Sequence, residues 1–304
     1  MSIGHYIKEI GRGKDGARSL TREQAADLFA QVLDGTVTDL EVGAFCLAMR
    51  IKGETAAEMA GFLDATEARL QKIPASAAPT VVLPSYNGAR KLPVLTPLLG
   101  LLLARSGASV LMHGTATESA RVTSLDVLQA LNMAPLSSVR PLAAGELAYA
   151  STELLCPGLK RLLDVRRVVG LRNPAHSLVK LMNPCAGRSL IVGSYTHPEY
   201  AQSMAATFAL MDRDALLLRG TEGESVADAR RTPRMELFCG GTSRVLQEAQ
   251  EGSLQQLPEL PGVDAAATAT YIRAVLAGNL PVPNPIALQV QHILQVLRDL
   301  SDAR

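Results

Sequence analysis

Aromatic residues are scarce in this sequence: tryptophan is absent, and phenylalanine and tyrosine make up only 4% of the 304 residues. Because bases stack on aromatic side chains, any binding of nucleic acid has to rely on phosphate contacts and should weaken strongly with salt. No helix-turn-helix, zinc-finger or RNA-recognition signature is visible in the sequence. These absences argue against the reading of base sequence.

The four cysteines are too scattered to form a metal site or a disulfide framework. Cys46, Cys156, Cys185 and Cys239 show neither CxxC nor Cys/His ligand spacing. We therefore expect reduced thiols in a reducing compartment, without disulfides or structural zinc.

Neither a secretory leader nor a membrane span is recognisable. The N-terminus lacks a basic segment followed by an apolar stretch and a small-residue cleavage site. The apolar run at 95–103 is broken by Pro97 and Gly100 and is too short to cross a bilayer. With 47% hydrophobic residues and a net charge of +1, the composition is that of a globular protein, which we expect in the cytoplasm and away from membranes.

The N-terminal region is predicted to be a small helical bundle. Thr21, Thr38 and Thr55 each precede a Gln or Glu by three residues, which is the spacing of a helix start capped by both side chains. We assign residues 1–75 to this N-terminal helical domain.

One of these helices, predicted at 40–51, carries an apolar stripe that is wide for a single short partner helix. The stripe either packs inside the bundle or contributes to a dimer interface. Its members are Val42, Phe45, Cys46 and Met49.

After a linker at 73–79 rich in Ala, Pro and Ser, apolar runs alternate with amphipathic helices. This alternation predicts an α/β domain at 76–304 with a mainly parallel sheet covered on both faces. Ligands of such sheets bind at the carboxyl ends of strands, so the loops after the first, second and fourth run are the candidate site. A Pro-rich turn at 281–285 precedes a closing helix predicted at 286–300. The four runs predicted as buried strands are 80–83, 109–112, 189–193 and 215–218.

Six segments resemble anthranilate phosphoribosyltransferases and follow one another in the order of that family: 20–25, 44–55, 124–131, 166–172, 181–184 and 220–224. The resemblance implies a nucleoside phosphorylase/phosphoribosyltransferase-like fold, with a small N-terminal helical domain and a large domain whose mainly parallel sheet is flanked by helices. It also implies that residues at about 160–182 cross back to complete the helical domain. Members of the family dimerise through this domain, which favours a homodimer and an interface role for part of the stripe.

The first substrate loop departs from the family pattern. Where the family has Gly-Thr-Gly-Gly-Asp, this chain has Pro84, Ser85, Tyr86, Asn87 and Gly88. Proline removes one amide, tyrosine adds bulk, and a single glycine remains to let the backbone approach a pyrophosphate. The sequence therefore predicts a poor phosphate cradle.

The loop after the second strand and the acceptor side are altered as well. The family's Lys-His-Gly-Asn corresponds to Met112-His113-Gly114-Thr115, so the phosphate-facing lysine is missing. The family's His-Pro-Ala corresponds to 156–158, which reads Cys-Pro-Gly, whereas Arg166 matches the arginine that faces the anthranilate carboxylate. His113 and His176 have no nucleophile or carboxylate at a recognisable spacing, and we interpret them as polar wall residues rather than general bases.

The acidic pair that holds magnesium in the family is also changed. Glu222 and Glu224 stand there but are not adjacent. We expect them to form solvated ion pairs near Arg219 or Arg230. No catalytic residue, metal ligand or cofactor is assigned; magnesium is implied only if the chain is an enzyme.

Positive charge has appeared in place of these groups, in three stretches that the fold can gather around one groove. The pattern resembles the YbiB-type branch of the family, which implies a nucleic-acid-binding homodimer without transferase activity. The resemblance assigns the DNA or RNA contacts to Arg90, Lys91, Arg166, Arg167, Arg172, Lys180, Arg230, Arg231 and Arg234.

Two other functions remain open. One is a phosphoribosyltransferase of the anthranilate type, or one with a changed acceptor, using phosphoribosyl diphosphate and magnesium; the retained Arg166 supports it. The other is a regulatory scaffold that binds a small anion or another protein.

Overall fold

The computed structural model describes residues 2–13, 15–251 and 258–302. These residues form twelve α-helices and one seven-stranded sheet. No helix in this part of the chain is long and apolar enough to cross a bilayer. The helices are α1 (Gly4–Ile10), α2 (Arg22–Asp34), α3 (Asp39–Lys52), α4 (Ala56–Glu67), α5 (Thr96–Arg105), α6 (Ser124–Ala130), α7 (Thr152–Leu155), α8 (Pro157–Val169), α9 (Ala175–Leu178), α10 (Pro198–Leu210), α11 (Ala265–Leu276) and α12 (Asn284–Asp302). The strands are β1 (Thr80–Ser85), β2 (Ser109–Gly114), β3 (Leu147–Ser151), β4 (Ser189–Tyr195), β5 (Ala215–Arg219), β6 (Met235–Cys239) and β7 (Thr242–Gln247).

The helices α2, α3 and α4 begin where the sequence predicts helix starts. Thr21, Thr38 and Thr55 each accept a hydrogen bond from the backbone N–H three residues later, and the Gln or Glu side chain there bonds back. Each helix contributes one phenylalanine to a buried cluster whose ring centroids lie 4.6 to 6.3 Å apart. This aromatic cluster forms the centre of the helical bundle.

Of the two alternatives for the apolar stripe on α3, packing inside the bundle is observed. Phe45, Cys46 and Met49 are buried, so they are not available to a second subunit. The exposed apolar residues of α3 are on its other face, where Leu40 is 83% and Ile51 66% exposed.

The helices α8 and α9 pack against the N-terminal helices although they follow three strands in the chain. α8 lies on α2, where Arg161 Nη2 donates to the Leu33 carbonyl at 2.8 Å. α9 lies on α4. Gly170 ends α8 in the left-handed conformation. As a result, the basic C-terminal turn of α8 reaches the β2–α6 loop, where Arg166 meets Glu118.

The sheet has the order β3-β2-β1-β4-β5-β6-β7. The first five strands run parallel to one another, and β6 pairs antiparallel with both β5 and β7. Successive residues of β1 face opposite cores: Val82 joins the core on the helical side, and Val81 and Leu83 join the core under α5 and α12. The predicted α/β architecture with a mainly parallel, two-sided sheet is confirmed. The closing helix is confirmed as α12.

Three strands were not predicted from the sequence. β3 is buried, but two of its five residues are alanine, which is depleted in strands, and β7 is largely exposed and polar, without the apolar run of a buried strand. β6 forms only because it pairs with β5, in register from Leu218 opposite Met235 to Ala215 opposite Phe238. The four predicted strands are confirmed, and β1 and β2 continue two residues further, so that Ser85 lies opposite Gly114.

The contact between α2 and α4 leads to a test of this packing. A Cβ at Gly61 would lie 2.2 Å from the Arg22 carbonyl oxygen, so Gly61→Ala forces the two helices apart. We expect the free energy of unfolding to fall by about 1–3 kcal/mol, measured by denaturant titration. Gly262→Ala, where a Cβ meets nothing within 4 Å, is the control and should not change the midpoint. Equal midpoints for the two variants would contradict the packing.

Candidate functional site: a filled phosphate loop and an arginine cluster

The loop after β1 directs its amides at a carboxylate of the protein itself. Glu224, which is 1% exposed, accepts hydrogen bonds from the backbone N–H groups of Asn87 at 2.7 Å and Gly88 at 2.8 Å. The hydroxyl groups of Ser85 and Thr96 donate to its other oxygen. The loop thus presents its amides to an anion, and that anion is a carboxylate of the protein itself.

Close backbone contacts hold the two segments of this cradle together. Gly88 has φ +67°, and a Cβ there would lie 2.8 Å from the Val122 carbonyl oxygen. Gly223 has φ +84°, and a Cβ there would lie 2.1 Å from Asn87 Nδ2. The Asn87 side chain donates to the Glu222 carbonyl at 2.7 Å. The stretch that contains both glutamates therefore covers the β1 loop directly.

A second carboxylate caps the continuation of the same loop. Glu222 accepts hydrogen bonds from the backbone N–H groups of Arg90 at 2.6 Å and Lys91 at 3.0 Å. The expectation that Glu222 and Glu224 form solvated ion pairs with arginine side chains is therefore wrong. Sequence patterns could not show this, because both contacts join segments more than 100 positions apart.

Lys180 is turned into the protein. Its ammonium donates to the Gly223 carbonyl at 2.9 Å and lies 3.5 Å from the Ser194 carbonyl. Burial penalises the charged form and lowers the pKa of Lys180 to about 8. The ammonium in this position joins the glutamate segment to β4, and the Lys180 side chain also lines a cavity beside that strand.

Tyr86 and His113 fill the space beneath the loop. The Tyr86 hydroxyl and His113 Nδ1 are 2.8 Å apart, and Thr152 Oγ1 donates to the same hydroxyl at 3.0 Å. Burial lowers the pKa of His113 to about 3, so its ring is neutral at physiological pH. His113 is a core residue of β2, not the wall residue that the sequence suggested. Gly114, the next residue, packs against the Ser85 carbonyl, where a Cβ would lie 2.0 Å away.

Three arginines from separate segments surround one carboxylate beside this loop. Glu118 contacts Arg166 Nη2 at 2.8 Å, Arg121 Nε at 3.0 Å and Arg172 Nη2 at 3.4 Å. Burial by itself would raise the pKa of Glu118, but hydrogen bonding to Arg166 and the charges of Arg121 and Arg166 lower it to about 2. Burial and the nearby Arg166 lower the pKa of Arg172. We call these four residues the arginine cluster.

The sequence-based interpretation missed Arg121 and Glu118. Both lie between β2 and α6, at the carboxyl end of a strand that was predicted correctly. Because ligands of parallel sheets bind at the carboxyl ends of strands, this position could have marked both residues as candidates. Arg121 Nη1 also donates to the Asn87 carbonyl at 3.2 Å, which joins the cluster to the β1 loop.

The remaining basic residues are more strongly compensated. Arg230 forms a two-pronged contact with Asp228 at 2.9 and 2.7 Å, and Arg231 lies 3.6 Å from the same carboxylate. Arg234 lies between two further acids at 3.5 and 3.7 Å. Arg167 is exposed and reaches Asp164 at 3.4 Å. These side chains lie at the surface but add little net charge.

A cavity of about 440 Å³ separates the helical half from the sheet. Met49 and Met59 line it from the helical side, and Ser194 and Tyr195 from the end of β4. Its volume is within the range of small-molecule sites. Burial lowers the pKa of His176, one of its lining residues, to about 4, so that ring is also neutral. Its basic or imidazole side chains are Arg50, Arg172, His176 and Lys180.

Comparison of the sequence with known proteins identifies the family to which the chain belongs. Residues 5–69 match the helical bundle domain of a glycosyl transferase family. The chain is 28% identical over 293 residues to the anthranilate phosphoribosyltransferase of Anaeromyxobacter dehalogenans (strain 2CP-C), covering 94% of this chain and 86% of that protein. It is 39% identical over 298 residues to the uncharacterized protein YbiB of Escherichia coli (strain K12), covering 95% and 92%. The chain belongs to the anthranilate phosphoribosyltransferase-like family. Within that family it is a YbiB-type protein, as the sequence motifs predicted.

Solved structures of anthranilate phosphoribosyltransferases share its fold. The enzyme of Thermus thermophilus superposes with a TM-score of 0.72 at 21% identity and covers 93% of this chain and 85% of that chain. The enzyme of Saccharomyces cerevisiae in complex with PRPP and Mg superposes with a TM-score of 0.69 at 14% identity, covering 97% and 88%. The predicted phosphoribosyltransferase-like fold is thus confirmed for this YbiB-type protein.

The Glu224 contacts of this YbiB-type protein lead to a prediction. Glu224→Gln replaces one acceptor oxygen by an NH2 group that faces hydrogen-bond donors. We expect a loss of about 1–3 kcal/mol in the free energy of unfolding, measured by denaturant titration, whereas Glu259→Gln at an exposed position should change it by less than about 0.5 kcal/mol. A Glu224→Gln variant as stable as the parent protein would show that the carboxylate is dispensable.

Proposed function

We propose that this protein binds DNA or RNA without sequence specificity, through phosphate contacts to a basic surface, and that it does not transfer phosphoribosyl groups. The observation that carries the proposal is the arginine cluster, in which three guanidinium groups share one carboxylate. We place this activity in the cytoplasm. The basic surface comprises Arg90, Lys91, Arg121, Arg166, Arg167 and Arg172, with Arg230, Arg231 and Arg234 at its rim.

The charge of the arginine cluster supports a polyanionic ligand. Three arginines against Glu118 leave two positive charges uncompensated within the cluster, in a chain whose net charge is only +1. Arg166 is four-fifths buried at its side chain, and partial burial strengthens its attraction for an anion relative to a fully solvated arginine. Planar guanidinium groups match the paired oxygens of a phosphate.

Direct contacts connect the cluster to the other basic residues. Arg121 donates to the Asn87 carbonyl, Asn87 donates to the Glu222 carbonyl, and the Glu222 carboxylate holds the amides of Arg90 and Lys91. The Arg90 and Lys91 side chains are exposed. The backbone that carries Arg90 and Lys91 is thus linked to the arginine cluster, and we infer that these cations together follow a phosphate backbone.

The filled loop argues against a phosphoribosyltransferase. A pyrophosphate would have to displace the buried Glu224 carboxylate from the amides of Asn87 and Gly88. It would also bring its own negative charge beside Glu222 and Glu224. The single Lys180 ammonium, which is bonded to the Gly223 carbonyl, offsets only part of this repulsion.

The test of this function is a mobility-shift titration of a labelled single-stranded oligonucleotide over a salt series. The double variant Arg166→Gln, Arg172→Gln should bind at least tenfold more weakly at low salt, and the slope of log K against log salt should become shallower by about 0.7 for each phosphate contact that is lost from a single strand. The double variant Arg244→Gln, Arg298→Gln, which removes two arginines outside the basic surface, should bind like the parent. Equal affinity of the two double variants would refute the basic surface.

We also propose that the protein is a homodimer formed through the exposed face of α3. Leu40, Leu47 and Ile51 follow a helical stripe and are 83%, 45% and 66% exposed. A contiguous apolar stripe on a helix that is otherwise capped and packed is typical of an interface. A dimer would present two basic surfaces to one strand and gain affinity by avidity.

This dimer can be tested by sedimentation. Leu40→Glu combined with Ile51→Glu places charges on the stripe and should convert the dimer to a monomer, which should lose more affinity for long oligonucleotides than for short ones. Leu210→Glu, at an exposed leucine of α10, is the control and should leave the mass unchanged. A parent protein that sediments as a monomer at all concentrations would contradict the proposal.

A further inference from the structure

Glu118 is an internal anion that three arginines contact. It lies on the β2–α6 connection, and its two oxygens receive three guanidinium groups from Arg121, Arg166 and Arg172. Two of these arginines come from the α8 end and the segment after it, and one comes from the same connection as Glu118. An anion at this point therefore joins the connection to the helical half.

Only one of the two terminal nitrogens of Arg166 has a hydrogen-bond partner among the described residues. Its Nη2 donates to Glu118, whereas its Nη1 is buried and has no hydrogen-bond partner among the described residues. A buried donor without a partner is costly, and such groups in native proteins call for an explanation. A phosphate group offers more acceptor oxygens than a carboxylate and can satisfy both nitrogens of the fork.

The Glu118 carboxylate is also accessible enough for a ligand to displace it. About a quarter of the Glu118 side chain is exposed, at 27%, and it belongs to a connection without regular secondary structure. Besides the arginine contacts, two hydrogen bonds join the connection to the β1 loop: the Thr117 hydroxyl donates to the Tyr86 carbonyl at 3.0 Å, and the Ala89 N–H donates to the Val122 carbonyl at 2.7 Å. Glu224, by contrast, is enclosed and bonded to four donors. Of the two internal anions, Glu118 is the one that a ligand can replace.

We propose that Arg121, Arg166 and Arg172 form a site for one phosphate group, which Glu118 occupies in the free protein and vacates when a phosphate of a bound strand arrives. This inference rests on the proposed nucleic-acid binding and adds the position of one phosphate and a means of controlling access to it. The same guanidinium groups then bind Glu118 in the free protein and a phosphate in the complex. The internal anion lowers the affinity for every external phosphate by the fraction of time that it occupies the site.

The substitution Glu118→Gln separates this inference from its premise. It keeps the size of the side chain and removes the competing charge, so the oligonucleotide should bind roughly tenfold more tightly than to the parent protein. Inorganic phosphate should also compete more effectively against the oligonucleotide on this variant. Asp299→Asn, which removes an acid paired with Arg244 at 3.3 Å, is the matched control and should leave both affinities unchanged.

The combination with Arg166→Gln identifies the site of the gain. In the double variant Glu118→Gln, Arg166→Gln, most of the added affinity should disappear, because the fork that the phosphate uses is gone. If the double variant keeps the added affinity for the oligonucleotide, the loss of one negative charge raises affinity without using Arg166. That result would refute the phosphate site.

Hydrogen exchange of the parent protein supplies a readout that needs no variant. Residues 115–123 should exchange faster when the oligonucleotide is bound, because Glu118 has released its arginines. Unchanged or slower exchange would overturn the displacement.

The outcomes distinguish the two proposals. If the parent binds the oligonucleotide and the arginine variants weaken it, but Glu118→Gln binds no more tightly, the function stands and the displacement fails. If neither the parent nor Glu118→Gln binds at low salt, both fail.

Discussion

A buried carboxylate facing two backbone amides holds together the region from which the function is inferred. Glu224 ties the loop after β5 to the loop after β1, and its four hydrogen bonds satisfy donors that would otherwise be buried without partners. Because the stretch at 220–224 is fixed in this way, Glu222 reaches the amides of Arg90 and Lys91, and Lys180 is held inside by the Gly223 carbonyl.

Internal carboxylates occupy the anion-binding groups at the carboxyl ends of β1 and β2. Glu224 and Glu222 take the backbone amides, and Glu118 takes the arginines. The amide site and the arginine site differ in how costly it is for a ligand to displace the internal carboxylate. Displacing Glu224 exposes buried amides and unpairs a buried charge, whereas displacing Glu118 exchanges one partly exposed anion for another. The chain therefore has a phosphoribosyltransferase-like fold in which the amides of the strand-end loop are already bonded to its own carboxylates.

Local signals in the sequence predicted much of the fold but little of the site. Threonine caps and apolar runs depend on neighbours in the chain, so the starts of α2 to α4 and four central strands could be located correctly. The strand β6 depends on pairing with β5, and β7 on pairing with β6, so neither shows in its own residues. The same reason applies to Glu224 and to Lys180, whose partners are distant in sequence. Arginine counts drew attention to the basic residues, but only the structure shows that Arg121 contacts Glu118 and that Lys180 is bonded to the Gly223 carbonyl.

The central claim is that the phosphate loop of this YbiB-type protein is filled by its own carboxylate. Calorimetric titration of phosphoribosyl diphosphate with magnesium into the parent protein tests it most directly, with an oligonucleotide titration of the same preparation as the positive control. The account predicts no saturable heat from phosphoribosyl diphosphate and saturable heat from the oligonucleotide. Saturable, magnesium-dependent binding of phosphoribosyl diphosphate would contradict it, because that ligand could enter the loop only by expelling Glu224.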